Sequence, residues 1–335
     1  MKKVLKIALI GILAVLTLLS SFACTPTGGG TTKDGLLYKK DKEGVYVVYG
    51  YRDDGTKKDT ITIDISTEAE NIRIDKGAFS GNNTLKTVIV SSDVKEITAG
   101  AFENMLVLET LEVPFIGKIA ASDSYYKETG SALKDEKAID AERTIAHFFG
   151  STEYDKGAQV DVKYLKDGAE TTVTCYMPVT LNKIIVNAPT TYGIPMDAFN
   201  GAVNITEVEL KGAVTAIGER AFKGTSLTTA TIPATVKNIY ASAFENCVVL
   251  STVAISKDAS DIAVKEKAFK GCVKMNYIGQ NDVINVTIDF AAFSEIAEKA
   301  FDFGRTFTGD DGYYTKNALG FDIDAIFGET TICQA

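Results

Sequence analysis

The chain has no tryptophan, a single histidine (His147) and only 6 prolines in 335 residues. One histidine excludes metal centres and acid–base sites built from several imidazoles. Positive charge is also scarce: 35 Lys and Arg stand against 44 Asp and Glu, a formal net charge of −9. A nucleic-acid partner needs a basic surface, so that class is set aside. A phosphate-cradling loop is missing too, because Gly28-Gly29-Gly30 follows no strand and precedes no Gly-Lys-Ser/Thr. What remains is ordinary for a folded chain: 45% apolar, 24% charged and 28 glycines. The length suits two compact domains or one elongated one.

The first 24 residues read as an address. Lys2, Lys3 and Lys6 form a positive start, Ile7 to Leu19 carry no charge over 13 residues, and Ser20-Ser21-Phe22-Ala23-Cys24 closes the segment. That core is short for a membrane span, which needs about 20 apolar residues, and it fits a secretory leader. Ala23 directly before Cys24 resembles a bacterial lipobox, which makes Cys24 the lipidated first residue of the exported chain. Ser21 stands where the lipobox has Leu and Phe22 is bulky, so ordinary signal-peptidase cleavage nearby is the alternative. Thr25 to Thr32, with Gly28-Gly29-Gly30 at its centre, reads as a flexible tether. The implied arrangement is an acidic body exported and held at a bacterial membrane surface through lipid on Cys24.

One short phrase recurs along the body: an aliphatic residue, three variable residues, then Ala-Phe. It occurs at Ile74/Ala78-Phe79, Ile97/Ala101-Phe102, Ile194/Ala198-Phe199, Ile217/Ala221-Phe222, Ile239/Ala243-Phe244, Val264/Ala268-Phe269 and Ile296/Ala300-Phe301. Successive alanines differ by 23, 97, 23, 22, 25 and 32 positions, and 97 is close to four ordinary units. A second phrase is interleaved, an apolar residue followed at +3 and +5 by two more. Examples are Leu85/Val88/Val90, Leu108/Leu111/Val113, Leu181/Ile184/Val186, Ile205/Val208/Leu210, Leu227/Ala230/Ile232 and Leu250/Val253/Ile255. Alternation at +3 and +5 predicts a strand buried on one face. Each unit is then a strand, a turn, an Ala-Phe hook and a return, and only stacked units bury a continuous core. The phenylalanines are scaffold, lined up as an internal column.

These residues resemble the BspA-type (Treponema pallidum-type) leucine-rich repeat family. Ile232-Pro233-Ala234-Thr235-Val236-Lys237-Asn238-Ile239, running on through Ala243-Phe244-Glu245-Asn246-Cys247, is close to a consensus unit. Gly35-Leu36-Leu37-Tyr38 and Gly44-Val45-Tyr46-Val47-Val48 are similar to the strand pair that often opens such proteins. The likeness covers about residues 35–305. It implies an α/β repeat fold, a right-handed solenoid with a parallel β-sheet on one side, a short β-rich N-terminal cap and an enlarged central repeat. It also implies surface exposure and binding to proteins or cells. The expected organisation is a leader over 1–23, a tether over 24–34, cap strands over 35–66, repeats over 67–116, an enlarged repeat over 117–178, repeats over 179–303 and a C-terminal cap over 304–335.

Within the interruption, apolar residues from Ala138 to Phe149 are spaced as on one helical face, predicting a helix over 135–149. Residues 159–164 and 171–176 alternate like the arms of a hairpin around Lys166-Asp167-Gly168. The stretch reads as an enlarged repeat or as a bulge that helps form a binding site. Tyr125 and Tyr126 are the candidates there for stacking on a glycan.

Chemistry is sparse. Cys247 and Cys272 both follow their Phe by three residues, so they occupy equivalent rungs, either as buried free thiols or as a disulfide. Cys175 and Cys333 have no evident mate. Cys175 with His147 lacks the surroundings of a nucleophile motif, and no enzyme activity, cofactor or metal is expected. Asp53-Asp54-Gly55 and Asp310-Asp311-Gly312 read as solvated turns rather than calcium loops. The best candidate for function is the outward face of the strands: Thr87/Ile89, Thr110/Glu112, Lys183/Ile185, Glu207/Glu209, Thr229/Thr231 and Thr252/Ala254. Ile89 and Ile185 are expected to be exposed on it. The surface is either plain strand propensity or an extended recognition face for a protein or other host or bacterial surface macromolecule. A purely structural envelope protein and a glycan-binding accessory protein are the other readings.

Overall fold

A computed structural model describes residues 31–53, 55–65, 71–120, 141–166, 169–199, 201–275, 277–279, 292–303, 306–308, 326 and 332–334. Cys24, the leader, Tyr125, Tyr126 and the Asp310 turn lie outside them.

The chain winds as a parallel-strand solenoid. A cap of β1 (Thr31–Lys33), β2 (Leu36–Lys40) and β3 (Tyr46–Tyr51) pairs antiparallel. Two columns of parallel strands follow. The first runs through β4 (Thr60–Ile63), β6 (Thr87–Val90), β8 (Thr110–Val113), the start of β11 (Lys183–Ile194), the start of β12 (Glu207–Ile217), β13 (Thr229–Ile232), β15 (Thr252–Ile255) and β17 (Tyr277–Gly279). The second column begins with β5 (Ile72–Ile74) on β3, then β7 (Val94–Ile97). It resumes with the far ends of β11 and β12, then β14 (Asn238–Ile239), β16 (Ile262–Val264) and β18 (Phe293–Ile296). An antiparallel hairpin, β9 (Gly157–Lys166) with β10 (Ala169–Pro178), is inserted before β11. Near the end β19 (Thr306–Thr308) pairs parallel with β20 (Ile332–Gln334).

Alternation sets the register. Val88 and Val90, Leu111 and Val113, Ile184 and Val186 all point inward and are buried, while the residues between them face out. A one-residue slip would turn every buried aliphatic to solvent, so the pairing is strongly specified.

The hooks make a third ladder between coils. Phe79 N–H donates to the carbonyl of Ala101, Phe199 to Ala221, Phe222 to Ala243, Phe244 to Ala268 and Phe269 to Ala300. Alanine precedes the phenylalanine because that backbone is approached at hydrogen-bond distance by the coil before it, and the hook alanines are all buried. The rings stack inside: Phe199–Phe222 lie 4.8 Å apart, Phe222–Phe244 5.0 Å and Phe244–Phe269 5.0 Å. Burying one such ring contributes about 1.5–3 kcal/mol, and a ring pair adds roughly 0.5–1.5 kcal/mol more.

Among the described residues helix is nearly absent, and the expected repeat solenoid is built on its parallel strands. Among the described residues the interruption holds only the 3-10 segments Ala141–Arg143 and Ile145–Phe148. The expected helix over 135–149 fails on its described part because Ile145 to Phe149 are all buried, so no solvent face exists for an amphipathic helix. The hooks cannot become helical either. The residue two before the phenylalanine is left-handed in Gly77, Gly100, Asp197, Arg220, Ser242, Lys267 and Lys299, with φ between 54° and 74°. A left-handed residue ends an α-helix, and hooks of this length are too short to nucleate one.

The gap of 97 holds one additional hook and is therefore two long steps rather than four ordinary ones. Its hook is Ile145 to Gly150: Gly100 N–H donates to His147 O, Phe102 N–H to Phe148 O, and Ile145 N–H to Ala198 O. The carbonyl of Phe148 thus takes the place of the alanine carbonyl, while Phe149 N–H turns back onto Ala146 O within the hook. The hairpin lays one apolar face inward, through Val160, Val162, Cys175 and Met177. Its other face carries Gln159, Asp161 and Thr174 in a small hydrogen-bonded set.

Candidate strand-face site

The first column turns one row of side chains outward on each side of the buried aliphatics. In one row Thr60, Thr87, Thr110, Lys183, Glu207, Thr229 and Thr252 stand in register on neighbouring strands. In the other, Thr62, Ile89, Glu112, Ile185 and Glu209 align, with Thr231 and Ala254 aligned further on. The candidate residues therefore share one continuous face. Glu207, Thr229, Thr231 and Ala254 are exposed, whereas Thr87, Ile89, Thr110, Glu112, Lys183, Glu209 and Thr252 are half-buried.

Ile185 departs from expectation: it is buried, with 9% of its surface accessible. In-register neighbours one strand spacing away, about 4.8 Å, are Glu112 and Glu209.

Around it lies the charged centre of the face. Lys183 Nζ donates to Glu207 Oε1 at 2.5 Å and lies 3.6 Å from Glu209, whose other oxygen is 3.1 Å from Lys211 Nζ. Asn187 Nδ2 donates to Glu112 Oε1 at 2.8 Å. The hydrogen bond to Glu207, opposed by partial burial and helped by both carboxylates, raises the Lys183 pKa above the ordinary lysine value. The cluster is zwitterionic and spans three strands, with threonine on either side. It can accept and donate hydrogen bonds over a broad flat area, but it offers no nucleophile.

Thr60 and Thr62 belong to the face although the second phrase misses their strand. Lys58 stands where that phrase has its first apolar residue, and it lies 3.6 Å from Asp34 of the cap. The Thr-Ile-Thr-Ile alternation was the available signal. Asn187 and Lys211 are missed for another reason: β11 and β12 continue well past the four-residue strand that the phrase marks.

The thiols have structural positions. Cys247 Sγ donates to Phe222 O at 3.0 Å and Cys272 Sγ to Phe244 O at 3.1 Å, each thiol bonding back to the preceding hook. Both are free and buried. Burial, reinforced by the bond to Cys247, pushes the Cys272 thiol well up. Cys175 faces inward on β10, and burial with the nearby Asp161 charge pushes it up to about 11. Nucleophilic cysteines need the opposite shift. His147 is buried, its Nε2 3.1 Å from the carbonyl of Ile97, so this nitrogen carries a proton and bonds to backbone. Cys333 falls in β20. Among the described residues no group of three or more His, Cys, Asp or Glu side chains is placed to hold a metal, and no helix is long and apolar enough to cross a membrane.

The model of the BspA type leucine rich repeat region matches six copies, over residues 57–130 and 173–308. The chain belongs to the BspA-type leucine-rich repeat family. Solved structures with likeness to this BspA-type protein include the T. pallidum leucine rich repeat protein TpLRR. The two are 16% identical over 76% of this chain and 83% of that one, with a TM-score of 0.34. A leucine-rich repeat protein from Bacteroides ovatus is 20% identical over 65% of this chain, at TM-score 0.34; the match spans 48% of that longer chain. A leucine rich cell surface protein from Faecalibacterium prausnitzii is 14% identical over 92% of this chain and 95% of the other, at TM-score 0.28. No curated protein matches the chain.

Proposed function

We propose that the protein is exported, anchored to a bacterial membrane through lipid on Cys24, and captures a protein or other surface macromolecule with the outward face of its first strand column. The observation that carries this reading is the face itself. Threonine and a zwitterionic cluster are set in register across neighbouring strands, an extended surface of the kind that repeat arrays offer to large partners. The leader with Ala23-Cys24 supports the anchor, and membership of the family supports a place at the cell surface. The reading is of a binding protein without catalysis, since the Cys175 thiol stays protonated at neutral pH and His147 Nε2 is engaged by backbone.

Two measurements test it. Intact mass of the membrane-extracted protein should show a chain beginning at a lipid-modified Cys24; a mass for an unmodified chain cut elsewhere refutes the anchor. Capture of macromolecules from host extract and from neighbouring bacteria should fall at least about tenfold when Glu207, Glu209 and Thr229 are replaced together by alanine, since several interface contacts at once are removed. Capture that is unchanged by this triple variant moves the binding surface elsewhere.

A further inference from the structure

Among the described residues no hook precedes the first hook of the array, Gly77 to Asn82. In the next step Gly77 N–H donates to Gly100 O, Phe79 N–H to Ala101 O and Gly81 N–H to Asn104 O. The matching acceptors of the first hook include Ala78 O and Gly81 O, and among the described residues no donor reaches either. The cause is the cap. β2 runs antiparallel to β3, pairs Leu36 with Tyr51 and takes Arg52 N–H onto Gly35 O at 2.8 Å. The chain is drawn aside there instead of folding a hook over Ala78-Phe79. A cavity of about 370 Å³ opens in its place, walled by Tyr51, Asp53, Ser80, Asn82, Asn83 and Thr84.

We infer that this cavity binds a neutral polyhydroxylated ring, a pyranose sugar residue, at the N-terminal end of the solenoid. The walls choose the chemistry. Two backbone carbonyls and the Asp53 carboxylate ask for hydroxyl donors and repel phosphate or carboxylate groups. Asn82 Oδ1 is occupied by the amides of Thr84 and Leu85, which turns its NH2 group into a donor for ring or hydroxyl oxygens, and Asn83 adds another amide. Tyr51, stacked on Phe79 at 6.0 Å, supplies the apolar side against which the C–H face of a pyranose packs. A cation is the competing occupant. It is disfavoured because Asp53 Oδ1 is already bound by Gly55 N–H at 2.8 Å and Lys57 N–H at 3.3 Å. The site lies at the first hook, apart from the charged centre of the strand face, and does not depend on it.

The test uses the full chain in a non-glycosidic detergent, with the methyl pyranosides of glucose, galactose, mannose and N-acetylglucosamine as probes in saturation-transfer NMR. At least one should receive saturation on its ring protons. The signal should vanish in Ser80→Trp, which plugs the cavity from an exposed turn, and binding should weaken about fivefold in Asn83→Ala through loss of a hydrogen bond. Circular dichroism of both variants confirms that the fold is kept. The inference is overturned if none of the four sugars receives saturation, if Ser80→Trp leaves the signal intact, or if methylammonium displaces the sugar at equal concentration.

Discussion

The hooks from Phe199 to Phe269 and those from Phe79 to Phe149 use one device with different regularity. In the later run ring centroids are 4.8–5.0 Å apart and the planes are within 3–19° of parallel. In the earlier run Phe79 and Phe102 are 5.3 Å apart and tilted, and Phe102 meets Phe148 edge-on at 6.2 Å. From Phe199 to Phe269, where successive units are 22–25 residues long, each ring repeats the last by near translation, whereas Phe79 and Phe102 keep the same spacing but tilt beside the enlarged coil. Where one coil is enlarged to carry a hairpin, its hook has a phenylalanine, Phe148, where the others present alanine to the coil before, and the column turns a corner. The backbone ladder tolerates insertion in two ways: the step from Phe269 to Phe301 is longer yet still closes directly through Phe269 N–H on Ala300 O, whereas the larger insertion is bridged by a substitute hook.

The largest effect should come from breaking the regular run. Phe244→Ala removes a ring stacked at 5.0 Å on both sides, and a cost of about 3–5 kcal/mol is expected. Neighbouring coils hold each other by interfaces. Urea unfolding of this variant should therefore split into two transitions on either side of the lesion. A single transition at the wild-type midpoint would show that the column contributes little.

Next is the junction. Gly150 has φ of +67°, and a Cβ there would stand 2.9 Å from the Cα of Gly100 in the preceding coil. Gly224, in the regular run, has φ of +69° with nothing within 4 Å of its would-be Cβ. Gly150→Ala should cost about 2–4 kcal/mol, from the left-handed backbone and from overpacking together. Gly224→Ala should cost only about 1–2 kcal/mol, from the backbone alone. Equal denaturation midpoints for the two variants would contradict the close approach of the coils at the junction.

A smaller effect belongs to the outside of the hooks. Arg220 is bidentate to Asp197 of the coil before it, with Nε–Oδ1 at 3.0 Å and Nη2–Oδ2 at 2.9 Å, and the carboxylate is only 6% exposed. Arg220 is half-buried; its desolvation is outweighed by Asp197 and the nearby glutamates, so its pKa rises. Asp197→Ala should destabilise by about 1–3 kcal/mol, as a charged group loses its partner. The double variant with Arg220→Ala should recover part of that loss, and a double-mutant cycle measures how much.

Much of this architecture was legible from residue spacing. Ile-x-x-x-Ala-Phe marked the regular hooks because the interior demands a small residue and then a large one at a fixed register. The hook at Ile145–Gly150 escaped notice because Phe148 replaces the alanine, and what identifies it is the backbone bond from Phe102, which no spacing records. The strand face was legible from alternation, apart from Ile185, which is buried although it stands in the outward row between two glutamates of neighbouring coils. The cavity at Ala78–Thr84 was invisible. It arises from the antiparallel pairing of the cap, which bends the chain away at Arg52, rather than from any motif in its walls.

The smallest effect distinguishes the thiols of the two regions. Cys175, on the inserted hairpin, has its pKa raised from 9.0 to about 11, by burial first and the Asp161 charge second. The folded protein therefore holds this proton more tightly than the unfolded chain does. The stability linked to it is complete below about pH 9 and drains away as the pH rises toward 11. In Cys175→Ala that drain is absent, so the gap in urea midpoint between wild type and variant should shift in the variant's favour from pH 8 to pH 10.5. Lysines and tyrosines titrate in the same range but are common to both proteins and cancel in the difference. A gap that stays constant with pH would mean that the hairpin opens readily enough for Cys175 to ionise as it does in water, and that the inserted arm, unlike the hooks, is only loosely fastened to the solenoid.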